Sequence, residues 1–190
     1  MKINEHGFWE CSNNDDHMFD PILCRSIISF LKYVNCTAAI DIGCGHGLYT
    51  KEINAAGLYC DGFDGNPNTP ELTGGECFIK DFSIPQDFFL QYDYAICLEV
   101  AEHVPPEYES VFIENLTKCN AKGIILSWAV PGQGGHGHFN ERDNKYVIDL
   151  ITSKGYKYNP DQTNALRGMV NLPWFKNTLL IFQRNQQRRK

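Results

Sequence analysis

Apolar segments typical of buried strands alternate with amphipathic segments along most of the chain, and this alternation constrains the fold more than any other feature. The strand-like segments are AAIDIG, LYCDGFD, CFIKD, YDYAICL, GIILSWAV and NTLLIFQR. Segments with apolar residues at helical spacing stand before or between them, namely DPILCRSIISFLKYV, LYTKEINAAG, PPEYESVFIENLTKC and NKYVIDLITSKG. Strands without strict apolar–polar alternation are typical of a parallel sheet covered on both faces, so we predict an α/β fold.

Length and composition favour one globular domain over residues 1–190. The chain is 43% hydrophobic and 13% aromatic, which is enough for one sizeable core and leaves little room for a second. It contains no internal repeat and no low-complexity linker, and its longest glycine-rich interruption is PGQGGHGHFNERD. We therefore expect the functional site to lie within this single domain.

Charge and cysteine usage indicate the class of partner and the compartment. The 17 basic and 23 acidic residues give a net charge of −6, and the basic residues cluster only in the tail RNQQRRK, so a nucleic-acid partner is not expected. No apolar stretch is long enough to span a membrane. The eight cysteines include no CxxC pair, so we expect reduced core thiols and a cytoplasmic location.

A glycine-rich turn, DIGCGHG, follows the first strand and precedes a helix. Free backbone N–H groups and the positive end of the helix dipole favour an anionic group there, and Gly43, Gly45 and Gly47 allow close backbone approach. Asp41 precedes the turn, and Asp64 ends the next strand, where a carboxylate can bind both hydroxyls of a ribose. A dinucleotide-binding enzyme would share the turn, so the turn alone is a weak signal.

A third acidic residue extends this candidate nucleoside site. Asp81 closes the CFIKD segment and could accept a hydrogen bond from an adenine amino group, with Phe82 beside the ring. Each of the first three predicted strands therefore has an acidic residue at its end.

The ordered set AIDIGCGHGLYTKEI, GFDGNP, IKDFS and YDYAICLEVAEHV resembles the class I S-adenosyl-L-methionine-dependent methyltransferases over about residues 38 to 185. The resemblance implies a Rossmann-like, doubly wound seven-stranded sheet, mostly parallel, with an antiparallel last strand. It implies S-adenosyl-L-methionine as cofactor, with the glycine turn at the methionine moiety, Asp64 at the ribose, and Asp81 with Phe82 at the adenine. The expected cofactor contacts are Asp41, Gly43, Cys44, Gly45, Gly47, Asp64, Gly65, Asn66, Asp81, Phe82, Leu98 and His17.

The resemblance also implies a division of the domain. Trp9, His17 and Phe19 precede the first helix, where relatives have a lid over the cofactor, although packing of an N-terminal arm is an equal alternative. We expect a lid and helix over residues 1–35, the Rossmann-like core over 36–185, and a basic tail over 186–190.

The stretch CLEVAEHVPPE has charged groups directly after a buried strand, where they are costly unless something satisfies them. In a helical turn Glu99 and Glu102 would share one face, with His103 beside them. Two carboxylates and an imidazole could hold a divalent cation, and His136 or His138, after the neighbouring strand, could complete the set. Alternatively, these groups cap the next helix or contact the cofactor.

The pattern ExxEH with a later histidine resembles two metal-dependent groups, the small-RNA 2′-O-methyltransferases and the ubiquinone-pathway O-methyltransferases. Carried over, the metal ligands are Glu99, Glu102, His103 and His138, with Mg²⁺ or Mn²⁺ as the expected ion, although His136 is an alternative to His138. A bound cation can lower the pKa of a hydroxyl, and a histidine outside the ligand set could accept its proton. The catalytic candidates are His103, His136 and His138.

The segments GIILSWAVPGQGGHGHFNERDNKY and WFKNTLLIF resemble small methyltransferases of algae and large algal viruses, a group with glycan-modifying members. The resemblance implies a small-molecule or glycan acceptor, with a sugar vicinal diol favoured. RNA 2′-O-methylation, a catechol acceptor and a non-catalytic partner subunit are the alternatives, and the oligomeric state stays open. Trp128 and Trp174 could line an acceptor pocket or belong to the core, and Arg142 and Arg167 could bind an anion or form surface pairs.

Overall fold

The computed structural model describes residues 2–12, 17–88 and 90–185, so the predicted tail over 186–190 lies outside the described residues. The strands are β1 Lys2–Ile3, β2 Trp9–Glu10, β3 Ala38–Ile42, β4 Tyr59–Asp64, β5 Cys77–Ile79, β6 Tyr92–Cys97, β7 Asn120–Ser127, β8 Tyr156–Tyr158 and β9 Leu179–Arg184. The helices are α1 Pro21–Tyr33, α2 Leu48–Ala55, α3 Thr69–Leu72, α4 Glu109–Lys118, α5 Asn144–Ser153, α6 Pro160–Arg167 and α7 Phe175–Thr178. A 3₁₀ turn, Pro106–Tyr108, precedes α4.

Seven strands form the main sheet in the order β5-β4-β3-β6-β7-β9-β8. The pairs from β5 to β7 are parallel, whereas β9 runs antiparallel to both β7 and β8. The predicted Rossmann-like, mostly parallel sheet with an antiparallel last strand is therefore confirmed. Because the chain winds from β3 in one direction to β4 and in the other to β6, the order reverses at β3, and ligands bind at such a switch point.

The start of α1 is fixed by one buried carboxylate that also holds a distant segment. Asp20 caps the helix, since its Oδ1 accepts from the N–H groups of Ile22 at 2.9 Å and Leu23 at 3.0 Å. Its Oδ2 accepts from the N–H groups of Asn171 at 2.6 Å and Leu172 at 2.7 Å. The segment leading to α7 is thereby tied to the beginning of α1.

Apolar clusters cover both faces of the main sheet, as expected for a parallel sheet. One cluster joins the sheet to α4 and α5, and the other joins it to α1 and α6. Trp128 belongs to the first cluster, is fully buried, and donates its indole N–H to the backbone oxygen of Asn140 at 2.6 Å. Of the two interpretations of Trp128, the structure favours the core.

Several short elements have no counterpart among the predicted segments. The hairpin of β1 and β2 pairs two residues on each side, and β8 has three residues. Such short strands contain too few residues to show a hydrophobic period. The eight cysteines are all buried and reduced, and no helix in the described ranges is long and apolar enough to cross a membrane.

Candidate active site

A cavity of about 560 Å³ opens at the carboxyl ends of β3, β4 and β6. Its volume lies within the range typical of small-molecule sites. Predicted cofactor residues that line it are Asp41, Gly43, Cys44, Gly45, Asp64, Gly65, Asp81, Phe82, Leu98 and His17. Two others do not: Gly47 is the N-cap residue directly before α2, and Asn66 is buried and donates its side-chain amide to the backbone oxygen of Cys11 at 2.9 Å.

The turn between β3 and α2 needs glycine for its backbone conformation and for its neighbours. Gly43 has a φ of +72°, and an added Cβ would lie 2.3 Å from a methyl group of Val100. Gly45 has a φ of +53°, and an added Cβ would lie 2.9 Å from the His17 ring. The turn therefore packs closely against the segment after β6 and against the residues before α1.

The carboxylate of Asp64 is held in place at the cavity wall. It accepts from the backbone N–H of Gly45 at 3.0 Å and from that of Asn66 at 2.9 Å. Burial raises the pKa of Asp64, and these backbone donors oppose the increase. The side chain is thus fixed beside the glycine turn with its remaining lone pairs available.

Asp41 is nearly inaccessible at the end of β3. Its Oδ2 accepts from the hydroxyl of Thr50 at 2.8 Å. Burial raises the pKa of Asp41 to about 7, and the hydrogen bond from Thr50 opposes this only in part.

Asp81 already has protein partners in the structure. Its Oδ2 lies 2.5 Å from His6 Nδ1, and its Oδ1 accepts from the N–H of Ser83 at 2.8 Å and from the Ser83 hydroxyl at 2.6 Å. His6 also stands against the ring of Tyr108, with centroids 4.8 Å apart. An adenine amino group at Asp81 would have to share the carboxylate with these groups.

The N-terminal segment forms one wall of the cavity, through His6, Gly7, Phe8, Trp9, His17, Met18 and Phe19. An added Cβ on Gly65 would lie 2.5 Å from the Phe8 ring, and one on Gly7 would lie 1.9 Å from the backbone oxygen of His103. The hairpin therefore contacts both the strand end that bears Asp64 and the segment after β6.

Three predicted metal-binding side chains meet at the cavity, and two of them, His103 and His138, line it. Glu102, His103 and His138 each offer a ligand atom, and these atoms all lie within 4.8 Å of one another. His103 Nδ1 is 3.1 Å from the Gly137 oxygen and His138 Nδ1 is 3.2 Å from a Glu141 oxygen. Each ring nitrogen Nε2 is thereby left for another partner, the arrangement that metal-binding histidines usually have.

Glu102 is fully buried, and neither carboxylate oxygen has a hydrogen-bond partner among the described residues. Burial and the charge of Glu99 raise the pKa of the Glu102 carboxyl well above its usual value. The backbone groups of Glu102 and Ala129 favour the charged carboxylate and oppose this increase only in part. Burial, with His138 nearby, lowers the pKa of His103 to about 4, so this imidazole is neutral at pH 7. An unpaired buried carboxylate beside two imidazoles fits a divalent cation.

Glu99 and His136 lie outside this group of three. Residues 99–104 form a bend and turns instead of the helical turn considered from the spacing, and Glu99 has a φ of +54°. Its carboxylate lines the cavity, where it accepts from Gln133 Nε2 at 2.7 Å and from the Thr178 hydroxyl at 3.1 Å. His136 also lines the cavity, 6.2 Å from the Trp9 ring by centroids.

Of the remaining candidate residues for acceptor binding, one lines the cavity and two form bonds within the protein. Trp174 lines the cavity. Arg142 forms an ion pair with Glu109 at 3.0 Å, and Arg167 donates to the backbone oxygens of Leu179 and Asn177, so neither arginine is free for an anion.

His46 and His6 are cavity residues that the sequence reasoning missed. His46 stands in the glycine turn itself, which was the available signal, and its Nε2 is buried without a hydrogen-bond partner in the described part of the chain. Burial, with His17 4.3 Å away by ring centroids, lowers the pKa of His46 to about 4. The sequence around His6 contains no pattern that would identify it as a cavity residue.

Comparison with known proteins adds independent information on the same region. A family model described as "Methyltransferase domain" matches residues 25–139, which include the glycine turn, Glu102 and His138. No curated protein matches the chain.

Solved structures share the fold at low sequence identity. Magnesium protoporphyrin IX methyltransferase from Synechocystis PCC 6803, with S-adenosylmethionine bound, has a TM-score of 0.66 and 18% identity, covering 90% of this chain and 86% of that one. The methyltransferase domain of bacterial CtHen1 has a TM-score of 0.62 and 16% identity, covering 86% and 98%. CalS10, an amino pentose methyltransferase from Micromonospora echinaspora with S-adenosylmethionine bound, has a TM-score of 0.64 and 12% identity, covering 85% and 90%.

Proposed function

The chain belongs to the methyltransferase domain family, as its motifs predict, and from that premise we propose that it transfers a methyl group from S-adenosylmethionine to a hydroxyl oxygen with the help of a divalent cation. The acceptor we propose is a vicinal diol, most simply that of a sugar on a glycan. The single observation that supports the metal is the buried carboxylate of Glu102, unpaired among the described residues and close to His103 and His138.

The cofactor proposal rests on the cavity wall at the ends of β3 and β4. Asp64, fixed by the amides of Gly45 and Asn66, would bind the ribose hydroxyls, and the glycine turn would lie at the methionine moiety. Two of the structural neighbours, the magnesium protoporphyrin IX methyltransferase and CalS10, have S-adenosylmethionine bound. The lid proposed for residues 1–35 is supported by the cavity wall that residues 6–9 and 17–19 form.

The metal would be held by Glu102, His103 and His138. When bound, it would lower the pKa of an acceptor hydroxyl, which at neutral pH keeps its proton and is a poor nucleophile. His136, exposed at the cavity wall and outside the group of three, would accept that proton. The N-terminal wall and Trp174 would orient the acceptor toward the transferred methyl group.

Two observations favour a sugar over RNA as acceptor. The net charge of −6 opposes binding of a polyanion, since nucleic-acid affinity depends mainly on phosphate contacts. The neighbour CalS10 acts on an amino pentose. RNA 2′-O-methylation is the second candidate, because the CtHen1 domain has the same fold and a terminal ribose offers the same diol.

The test is methyl transfer from labelled S-adenosylmethionine to three acceptors: methyl α-rhamnopyranoside, catechol, and a short RNA with a free 3′ end. Each reaction is run with Mg²⁺, with Mn²⁺ and with chelator, and products are identified by mass spectrometry. We expect metal-dependent methylation of the glycoside. Transfer to RNA or catechol alone would replace the acceptor proposal, metal-independent transfer would remove the cation, and failure to bind S-adenosylhomocysteine would indicate a non-catalytic partner subunit.

A further inference from the structure

We propose that Glu99 binds hydroxyl groups of the acceptor instead of the metal ion, an inference that rests on the proposed function and refines its acceptor site. The motif spacing alone assigns Glu99 and Glu102 the same role. In the structure, the group of ligand atoms that lie within 4.8 Å of one another contains Glu102 but not Glu99, although the two carboxylates are neighbours.

The two carboxylates differ in their partners. Both oxygens of Glu99 accept hydrogen bonds from neutral donors, one from Gln133 Nε2 at 2.7 Å and the other from the Thr178 hydroxyl at 3.1 Å. Neither oxygen of Glu102 has such a partner among the described residues. A carboxylate has about four lone-pair sites, so Glu99 is held in place and can still accept from additional donors.

The backbone also fixes the direction of Glu99. Its φ of +54° lies in the left-handed region, which costs free energy for a residue with a Cβ. Its N–H donates to the hydroxyl of Ser127 at 2.8 Å, which ties this bend to the end of β7. Bonds to β7, to the glycine-rich loop and to α7 therefore hold one side chain in one orientation, as expected for a group that positions a ligand.

The location of Glu99 indicates what it contacts. Glu99 lines the cavity together with Gln133 and Trp174, whereas Glu102 does not. Thr178, which bonds Glu99, lies one helical turn after Trp174 and also donates to the Trp174 backbone oxygen at 3.2 Å. A carboxylate and an amide beside an indole ring suit a polyhydroxy compound, since hydroxyls bond the polar groups and the C–H face of a sugar packs on the ring.

The test separates metal binding from acceptor binding in the full chain. Protein saturated with S-adenosylhomocysteine is titrated by calorimetry with Mg²⁺ and then, with Mg²⁺ present, with catechol as a neutral diol probe. For Glu99→Gln we expect the Mg²⁺ dissociation constant within about threefold of the unsubstituted protein, and the catechol dissociation constant raised about tenfold, because a bond to a neutral amide is weaker than one to a carboxylate. Glu102→Gln should instead lose Mg²⁺ binding.

Glu114→Gln, at an exposed position on α4, is the matched control and should change neither constant. Thr178→Val, at a position outside the cavity wall, should raise the catechol dissociation constant a few-fold and leave Mg²⁺ binding unchanged, because Glu99 loses one of its anchors. This second variant decides the role of Glu99 even if Glu99→Gln does not fold.

Three outcomes would overturn the assignment: loss of Mg²⁺ binding in Glu99→Gln to the extent seen in Glu102→Gln, unchanged catechol affinity in Glu99→Gln, or no catechol binding by the unsubstituted protein. Failure of the unsubstituted protein to bind Mg²⁺ would overturn the metal part of the proposed function. The catechol titration would then still decide the role of Glu99.

Discussion

The carboxylate of Glu102 and the imidazole of His138 offer ligand atoms within 4.8 Å of each other, although they follow different strands. Glu102 lies after β6 and His138 after β7, which pair in parallel from Tyr94 opposite Gly123 to Cys97 opposite Leu126. Because the carboxyl ends of parallel neighbours meet at one edge of the sheet, the fold brings these side chains together at the cavity.

Replacing Glu102 by alanine should abolish metal binding and methyl transfer while leaving affinity for S-adenosylhomocysteine nearly unchanged. The reason is that Glu102 lies outside the cavity wall that bears the cofactor residues. Asp64→Ala, which removes a carboxylate from that wall, is the opposite control and should weaken S-adenosylhomocysteine binding at least about tenfold. Calorimetry measures both ligands, and a large loss of cofactor affinity in Glu102→Ala would assign Glu102 to the cofactor site.

Metal binding should release protons. Burial and the charge of Glu99 hold the pKa of Glu102 well above its usual value, and a carboxyl group must give up any proton it holds in order to coordinate a metal. His103, with its pKa lowered to about 4, is already neutral and releases none. Calorimetry in two buffers of different ionisation enthalpy counts the protons, and affinity should rise with pH. Binding without proton release would contradict the role given to Glu102.

Gly135→Ala should weaken metal binding at least about tenfold with little change in S-adenosylhomocysteine affinity, because displacing a ligand removes a coordination bond. A Cβ at this position would lie 2.3 Å from His138 Nε2, so the ring must move. Gly132→Ala is the matched control in the same loop, since its Cβ would meet no atom within 4 Å even though its φ of +87° makes alanine strained. Equal losses of metal affinity in both variants would attribute the effect to loop strain.

Asp41→Asn should become more stable relative to the unsubstituted protein as pH rises from 5 to 8. Burial raises the pKa of Asp41 from 3.8 to about 7. The stability that the protonated side chain contributes is therefore fully present below the pKa of the unfolded state, and it is lost as pH rises through about 7. The change is at most about 4 kcal/mol in the free energy of unfolding. Thermal melts without ligands measure it, with Asp161→Asn, exposed on α6, as control. A difference independent of pH would contradict this pKa.

The glycine turn and the order of the long strands could be predicted because their signals are local. DIGCGHG directly after an apolar strand requires a tight turn before a helix, and Gly43 and Gly45 indeed have positive φ. The family assignment follows from the same local motifs. In contrast, β1, β2 and β8 are only two or three residues long and form because a partner strand is present. Such short strands show no hydrophobic periodicity from which they could be predicted.

The sequence by itself determined the α/β class, the mostly parallel sheet and the position of the glycine turn, because apolar runs and glycines act over a few neighbouring residues. Only the tertiary structure decided that His6 lies 2.5 Å from Asp81, and that Glu102 joins His103 and His138 while Glu99 bonds Gln133 and Thr178. The physical reason is that these contacts join residues from separate elements. The ExxEH pattern alone cannot distinguish the roles of Glu99 and Glu102, because the directions of their side chains depend on a left-handed bend at Glu99.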